Sequence, residues 1–322
     1  MTEERSSRLQ NFPISWFAVV MGMTGFTIAW HHAEILLALP VRPSLVLLGL
    51  TIITFVILLA LYLAKILKYP NQVRAEYSHP INLNFFPTVS IGLILISVAL
   101  LPYSNPVSLV CWIAGATLHL AFTLHVLSVW LHQTHFEVDH LNPAWFIPVV
   151  GNILVPIAGV SHASPEISWF FFSIGLIFWL ILLTIIFYRM LFHRPLPARL
   201  LPTLFILIAP PAAGFISWLE LTGELDAFAR ILYYVAVFLT LMLLTQVKRF
   251  LQLEFFLSSW AYSFPMAAIT IATFIMHTQL QLPFFKGLGV VLLMLLTLLI
   301  SVLVWKTAQA VRCRAIAIEI ED

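Results

Sequence analysis

The sequence predicts an all-α polytopic membrane protein, and three observations lead there. Its 322 residues are 61% hydrophobic and only 9% charged, where a soluble domain has about 45–50% apolar and about 25% charged residues. Apolar runs of roughly 20 residues, enough to cross a hydrocarbon core of about 30 Å, recur from end to end. No segment alternates polar and apolar residues over the roughly ten positions that a membrane-barrel strand needs.

Ten runs have the necessary length: residues 12–30, 44–67, 84–101, 107–131, 143–161, 167–190, 200–219, 228–247, 256–277 and 285–305. The polar start, MTEERSSRLQNFP, carries acids and leads into a long apolar run without a small-residue cleavage site, so the first run is expected as a retained helix and not a signal peptide. Residues 1–11 and 306–322 are expected as short tails. The whole of 1–322 is expected as one transmembrane domain, since the loops are short and free of Gly/Ser linkers. Of the 16 Lys and Arg, all except Arg42, Arg230 and Lys286 fall on the side that holds both ends of a ten-span chain. The positive-inside rule then places both termini in the cytoplasm, and the inner (plasma) membrane is the expected location. The net charge of +2 reports this topology and not a nucleic-acid partner. Cys111 and Cys313 lie in different layers, so neither a disulfide nor a metal framework is expected.

Odd and even spans differ in composition. Pro13, Pro87, Pro148, Pro156, Pro202, Pro210, Pro211 and Pro265 all lie inside odd spans, whereas Pro43, Pro106 and Pro165 sit at or before the first turn of even ones. Interior proline removes a backbone hydrogen bond, which in a membrane suits a helix inside a bundle or along a wet cavity. Small residues follow the prolines. At helical spacing, Ala18, Gly22, Gly25 and Ala29 share one face of the first span, Pro148, Gly151, Asn152 and Gly159 one of the fifth, and Pro210, Ala213, Gly214 and Ser217 one of the seventh. Pro87 and Ser90 in the third span, and Pro265, Ala267 and Ala268 in the ninth, complete the set. The sixth, eighth and tenth spans are bulky enough to face lipid. The fourth, with CWIAGATLHLAF, is small enough to pack against another subunit. The motifs NFP, FFPT, FIPV, LLPT and SFPM recur near the starts of the odd spans. They predict five helical hairpins in quasi-five-fold order around a central pore, with an inner ring of odd helices and an outer ring of even ones.

Enzyme chemistry finds no support. There is no H-E-x-x-H, G-x-S-x-G or Walker loop. Eleven histidines invite a metal or haem reading, but His119 and His125 are six residues apart, on different faces, and no second helix matches them in depth. Interfacial or hydrogen-bonded histidine is the expectation, with no metal and no cofactor. The acids fall at span ends or in loops, so the mid-membrane ionisable groups of proton- or cation-coupled pumps are missing. An uncharged small-residue tunnel with a basic cytoplasmic face leans towards anions.

Four stretches, NQVRAEYSHPINLNFFP (71–87), HLNPAWFIPVVGN (140–152), LFILIAPPAAGFISW (204–218) and WAYSFPMAAITIAT (260–273), resemble the tellurite-resistance/dicarboxylate transporter family, which includes the bacterial TehA proteins and the plant slow-type anion channels. The first span, FPISWFAVVMGMTGFTIAW, is similar too, so the resemblance covers nearly the whole chain. It implies five hairpins, a pore in every protomer, a homotrimer, and an occluding phenylalanine on the ninth helix, matched here by Phe264. Pro265 stands where a bacterial TehA has glycine. The long tails through which plant members are regulated have no counterpart, so kinase control is not expected. Arg74 and Glu76 match a charged family loop and are expected to pin the third helix. The expectation is therefore a gated channel passing small monovalent anions such as chloride or nitrate. The alternative is a secondary transporter of larger anions such as malate, sulfite or tellurite-related oxyanions.

Overall fold

Ten helices are long and apolar enough to cross a membrane: Ile14–Leu37, Pro43–Lys68, Asn82–Leu100, Asn105–His132, Pro143–His162, Pro165–Phe192, Ala198–Thr222, Ala227–Leu244, Leu257–Leu280 and Pro283–Arg312. They come from a computed structural model that describes residues 8–133 and 136–313, among which there is no strand. Arg5, Arg314, His135 and most of both expected tails lie outside the described residues.

Two spans overrun their predicted ends. The first continues past Trp30 through His31, His32 and Glu34 and stops at Ala38, which has left-handed φ 48°. Glu34 ends no helix because its carboxylate is satisfied: it accepts from the Ser44 backbone N–H at 2.5 Å and the Ser44 hydroxyl at 2.7 Å. The tenth span runs to Arg312, so 306–312 is helix and not tail; no Gly or Pro follows Gly289 in it, and Thr307 bonds back to the Leu303 carbonyl.

The prolines act at a definite place. Every odd span opens with a 3₁₀ segment (Ile14–Trp16, Asn82–Phe85, Pro143–Trp145, Ala198–Ile208, Leu257–Tyr262), and the fifth has a second one at Gly151–Leu154. Even spans are uninterrupted α-helices. Pro87, Pro156, Pro210, Pro211 and Pro265 stand at or within the first turn of the α-segment that follows, where an absent N–H breaks no α bond. Side chains three residues downstream serve the carbonyls there. Thr88 donates to Phe85, Ser90 to Pro87, Asn152 to Val149, Thr203 to Leu200 and Ser263 to Trp260.

Burial separates the two sets. The central windows of the odd spans are 61–83% buried and those of the even spans 28–39%. Each odd span packs on the next odd span, and the ninth packs on the first, so the inner helices close a ring. Each even span lies on its own odd partner and also touches the next odd helix. Outer residues such as Ile53, Phe170, Leu180, Tyr234, Met294 and Leu298 are exposed and apolar, as a lipid-facing surface requires. Glycine notches seat the outer helices: a Cβ at Gly175 would lie 2.7 Å from the Ile153 backbone nitrogen, and one at Gly289 2.5 Å from Phe274. In the fourth span Gly115 and Ala116 face inward, while Ala114, Thr117 and Ala121 stay exposed.

The charged loop folds as a short helix, Pro70–Ser78, and corrects one expectation. Glu76 accepts from Lys65 Nζ at 2.7 Å, Tyr62 Oη at 3.0 Å and the Ile14 backbone N–H at 2.7 Å. It pins the start of the first span to the end of the second, not the third. His79 holds the third span instead, its Nδ1 accepting from the N–H groups of Ile81 and Asn82. Arg74 is exposed and takes no described part.

Candidate functional site: two cavities meeting at Phe264

The inner ring encloses two cavities. One, of about 70 Å³, lies among the starts of the odd spans and is lined by Ala18, Phe85, Ile147, Ile206, Trp260 and their neighbours. A water needs about 10–15 Å³ by this kind of measure, so there is room for a few. Its walls present carbon: the Thr88 hydroxyl is engaged by the Phe85 carbonyl and the Trp260 N–H by Thr307. The other cavity, of about 200 Å³, lies towards the ends of the odd spans and mixes apolar walls with Thr27, His31, His32, Tyr103, Ser161 and Glu220.

Phe264 lines both. The ninth span puts it there by restarting its α-helix at Ser263, with Pro265 following. Pro265 has no N–H for the carbonyl of Ala261, itself a wall residue of the smaller cavity. The ring is 9% exposed, and no aromatic ring stacks on it among the described residues. Across from it stands Gly25, where a Cβ would lie 3.3 Å from Phe264 Cδ2 and 2.8 Å from the Ala267 methyl. Among the described residues only Leu154 and Ala213 share with Phe264 the property of lining both cavities.

The expected lining residues divide into two groups. Ala18, Gly151, Pro210, Ala213 and Pro265 border the smaller cavity, and Gly25, Ala213 and Ala268 the larger. The others pack between helices. A Cβ at Gly22 would collide with Ser263 Oγ at 2.0 Å, one at Gly214 would meet Ile153 at 3.0 Å, and Ala267 is buried against Gly25. Pro87 and Pro148 turn carbonyls to Ser90 and Thr123. Ser90 meets His119 Nδ1 at 2.9 Å, and Asn152 donates to Thr123 Oγ1 at 2.9 Å. These small or polar residues join helices. Their sequence signal is the same as that of a lining residue, because both roles demand little volume.

Two features escaped sequence reasoning. Leu154 is one leucine among many in an apolar span and carries no mark. The polar rim of the larger cavity gathers residues from several spans, of which only the His31–His32 doublet stands out in the sequence. Among the described residues no group of three His, Cys, Asp or Glu is placed to hold a metal ion. His119 is fully buried, and His125 stacks on Tyr77 at 5.0 Å.

A family model described as voltage-dependent anion channel, SLAC1, matches residues 11–308. The chain belongs to the SLAC1 family of voltage-dependent anion channels. SLAC1-family relatives span distant organisms. An uncharacterized transporter of Methanocaldococcus jannaschii is 29% identical over 84% of this chain and 86% of its own length. The S-type anion channel SLAH3 of Arabidopsis thaliana is 28% identical over 93% of this chain but only 48% of its own, so the chain spans about half of that plant channel. The tellurite resistance protein TehA homolog of Haemophilus influenzae is 24% identical over 80% of this chain and 79% of its own. With ten membrane-length apolar helices, this SLAC1-family chain is a multi-pass membrane protein.

Proposed function

We propose that the two cavities form one conduit for small monovalent anions such as chloride or nitrate, closed by the Phe264 ring. The observation that carries this reading is that one unstacked benzyl side chain borders both cavities. Gly25 supplies the space in front of it, and Leu154 and Ala213 complete the constriction.

The electrostatics favour the sign. The odd spans run parallel, so their helix dipoles point their positive ends to one side of the ring. That side also carries nearly all the Lys and Arg, and by the positive-inside rule it is cytoplasmic. Among the described residues no charged side chain lines the smaller cavity. Passage there depends on how cheaply an ion sheds water, and a narrow apolar stretch dewets and resists hydrated ions. Relatives named as S-type anion channels support the same reading. The exposed small residues Ala114, Thr117 and Ala121 give the fourth span a face suited to packing against a second copy, in keeping with a homotrimer.

The test is current through the reconstituted protein in planar bilayers. Turning a ring off its rotamer costs of order 0.5–1.5 kcal/mol before any packing is broken. Phe264→Ala is therefore expected to raise anion conductance at least about twofold, with a reversal potential that follows the chloride or nitrate gradient. Unchanged current from a folded Phe264→Ala protein would remove the gate. Saturable malate counterflow without macroscopic current would replace the channel by an exchanger.

A further inference from the structure

Away from the ring axis, a cavity of about 550 Å³ opens between the end of the sixth span, the loop that follows it, the start of the seventh span and the segment after the eighth. Its polar lining is Arg189, Arg249, Gln246 and Gln252, and among the described residues no carboxylate borders it. Arg189 is the unusual member. It is 2% exposed, yet its Nε and Nη1 are buried with no hydrogen-bond partner, and it has no ion pair among the described residues. A buried guanidinium is retained when an anion completes it.

We propose that this pocket binds a phosphate group, the chemistry that an anionic phospholipid headgroup and free phosphate have in common. Guanidinium is planar and offers paired donors that match phosphate oxygens. Arg189 supplies the desolvated donor, while exposed Arg249 and the two glutamines close the site from the water side. A lone halide would leave most of the volume empty, whereas the size is that of an ordinary small-molecule pocket. Leu191, Phe192 and Leu251, which are 71%, 72% and 79% exposed, flank the lining residues in sequence and offer apolar surface for acyl chains. Basic pockets between spans on the cytoplasmic side are where anionic headgroups are held.

Thermal unfolding of the full chain tests this. In detergent, sodium phosphate is compared with sodium chloride at matched ionic strength; in nanodiscs, phosphatidylglycerol is compared with phosphatidylcholine. A ligand of the native state raises Tm by mass action, here by a few degrees at saturation. The wild type is expected to gain that shift from phosphate, phosphatidylglycerol or both, and Arg189→Gln to lose it. A shift from phosphatidylglycerol alone assigns a lipid, and a shift from phosphate alone assigns the soluble ion. Without ligand, Arg189→Gln is expected to melt no lower than wild type, because it removes a charge whose buried Nε and Nη1 meet no acceptor among the described residues. Arg249→Gln, at an exposed position, folds normally and is expected to need several-fold more ligand for the same shift. Equal shifts in wild type and Arg189→Gln, no preference for phosphate or phosphatidylglycerol, or a lower Tm for ligand-free Arg189→Gln would each overturn the proposal.

Discussion

At Phe264 a large ring faces a residue reduced to hydrogen. Gly25 gives the ring its clearance, and Gly22, one turn earlier, gives the helix its seat against Ser263. Gly22→Ala forces a methyl into Ser263 and Trp260, overpacking expected to cost about 1–3 kcal/mol and to lower Tm in detergent. Gly287→Ala meets nothing within 4 Å and is expected to be neutral or to stabilise by up to about 1 kcal/mol in the same assay. Leu154→Ala is expected to raise anion current less than Phe264→Ala, and the double variant less than the product of the two effects, because both side chains belong to one constriction. Phe264 is recognisable in the sequence only through its family motif; an aromatic in an apolar span otherwise looks like core. The prolines are legible by themselves, since no other residue lacks an N–H.

The elements are held at one end by a buried charge pair. Lys65 and Glu76 are 2.7 Å apart with side chains 4% and 9% exposed, and Lys65 also donates to the Phe12 carbonyl at 2.9 Å. Removing one partner of such a pair typically costs about 3–5 kcal/mol, because the other charge stays buried. Glu76→Gln is therefore expected to lower Tm sharply, and adding Lys65→Met to recover much of the loss, both read by thermal unfolding in detergent. Span number and the inner or outer place of each helix could be read from the sequence, because hydropathy and proline follow burial directly. The job of Glu76 could not. Its backbone partner Ile14 is 62 residues away, and nothing local to the loop points to the first span. The 3₁₀ openings of the odd spans were legible as proline positions but not as geometry, since the hydroxyls that complete them are ordinary Ser and Thr.

For the whole molecule, each pair of cavities is enclosed by the helices of a single chain. On the proposed conduit, the copies in an oligomer are expected to conduct independently. Concatemers carrying increasing numbers of Phe264→Ala copies are expected to show current rising in equal increments, measured in bilayers at one anion gradient; a steep, cooperative rise would mean a shared path instead. The closed ring also has a consequence for biosynthesis. Four of its five inner seams join neighbouring hairpins, but the last joins Gly25 on the first span to Ala267 on the ninth. A nascent chain leaving the translocon can zip each hairpin to its predecessor as it emerges. The flank that carries Gly22 and Gly25 has no mate until the ninth helix is made, so the circle cannot shut before eight other helices have left the translocon.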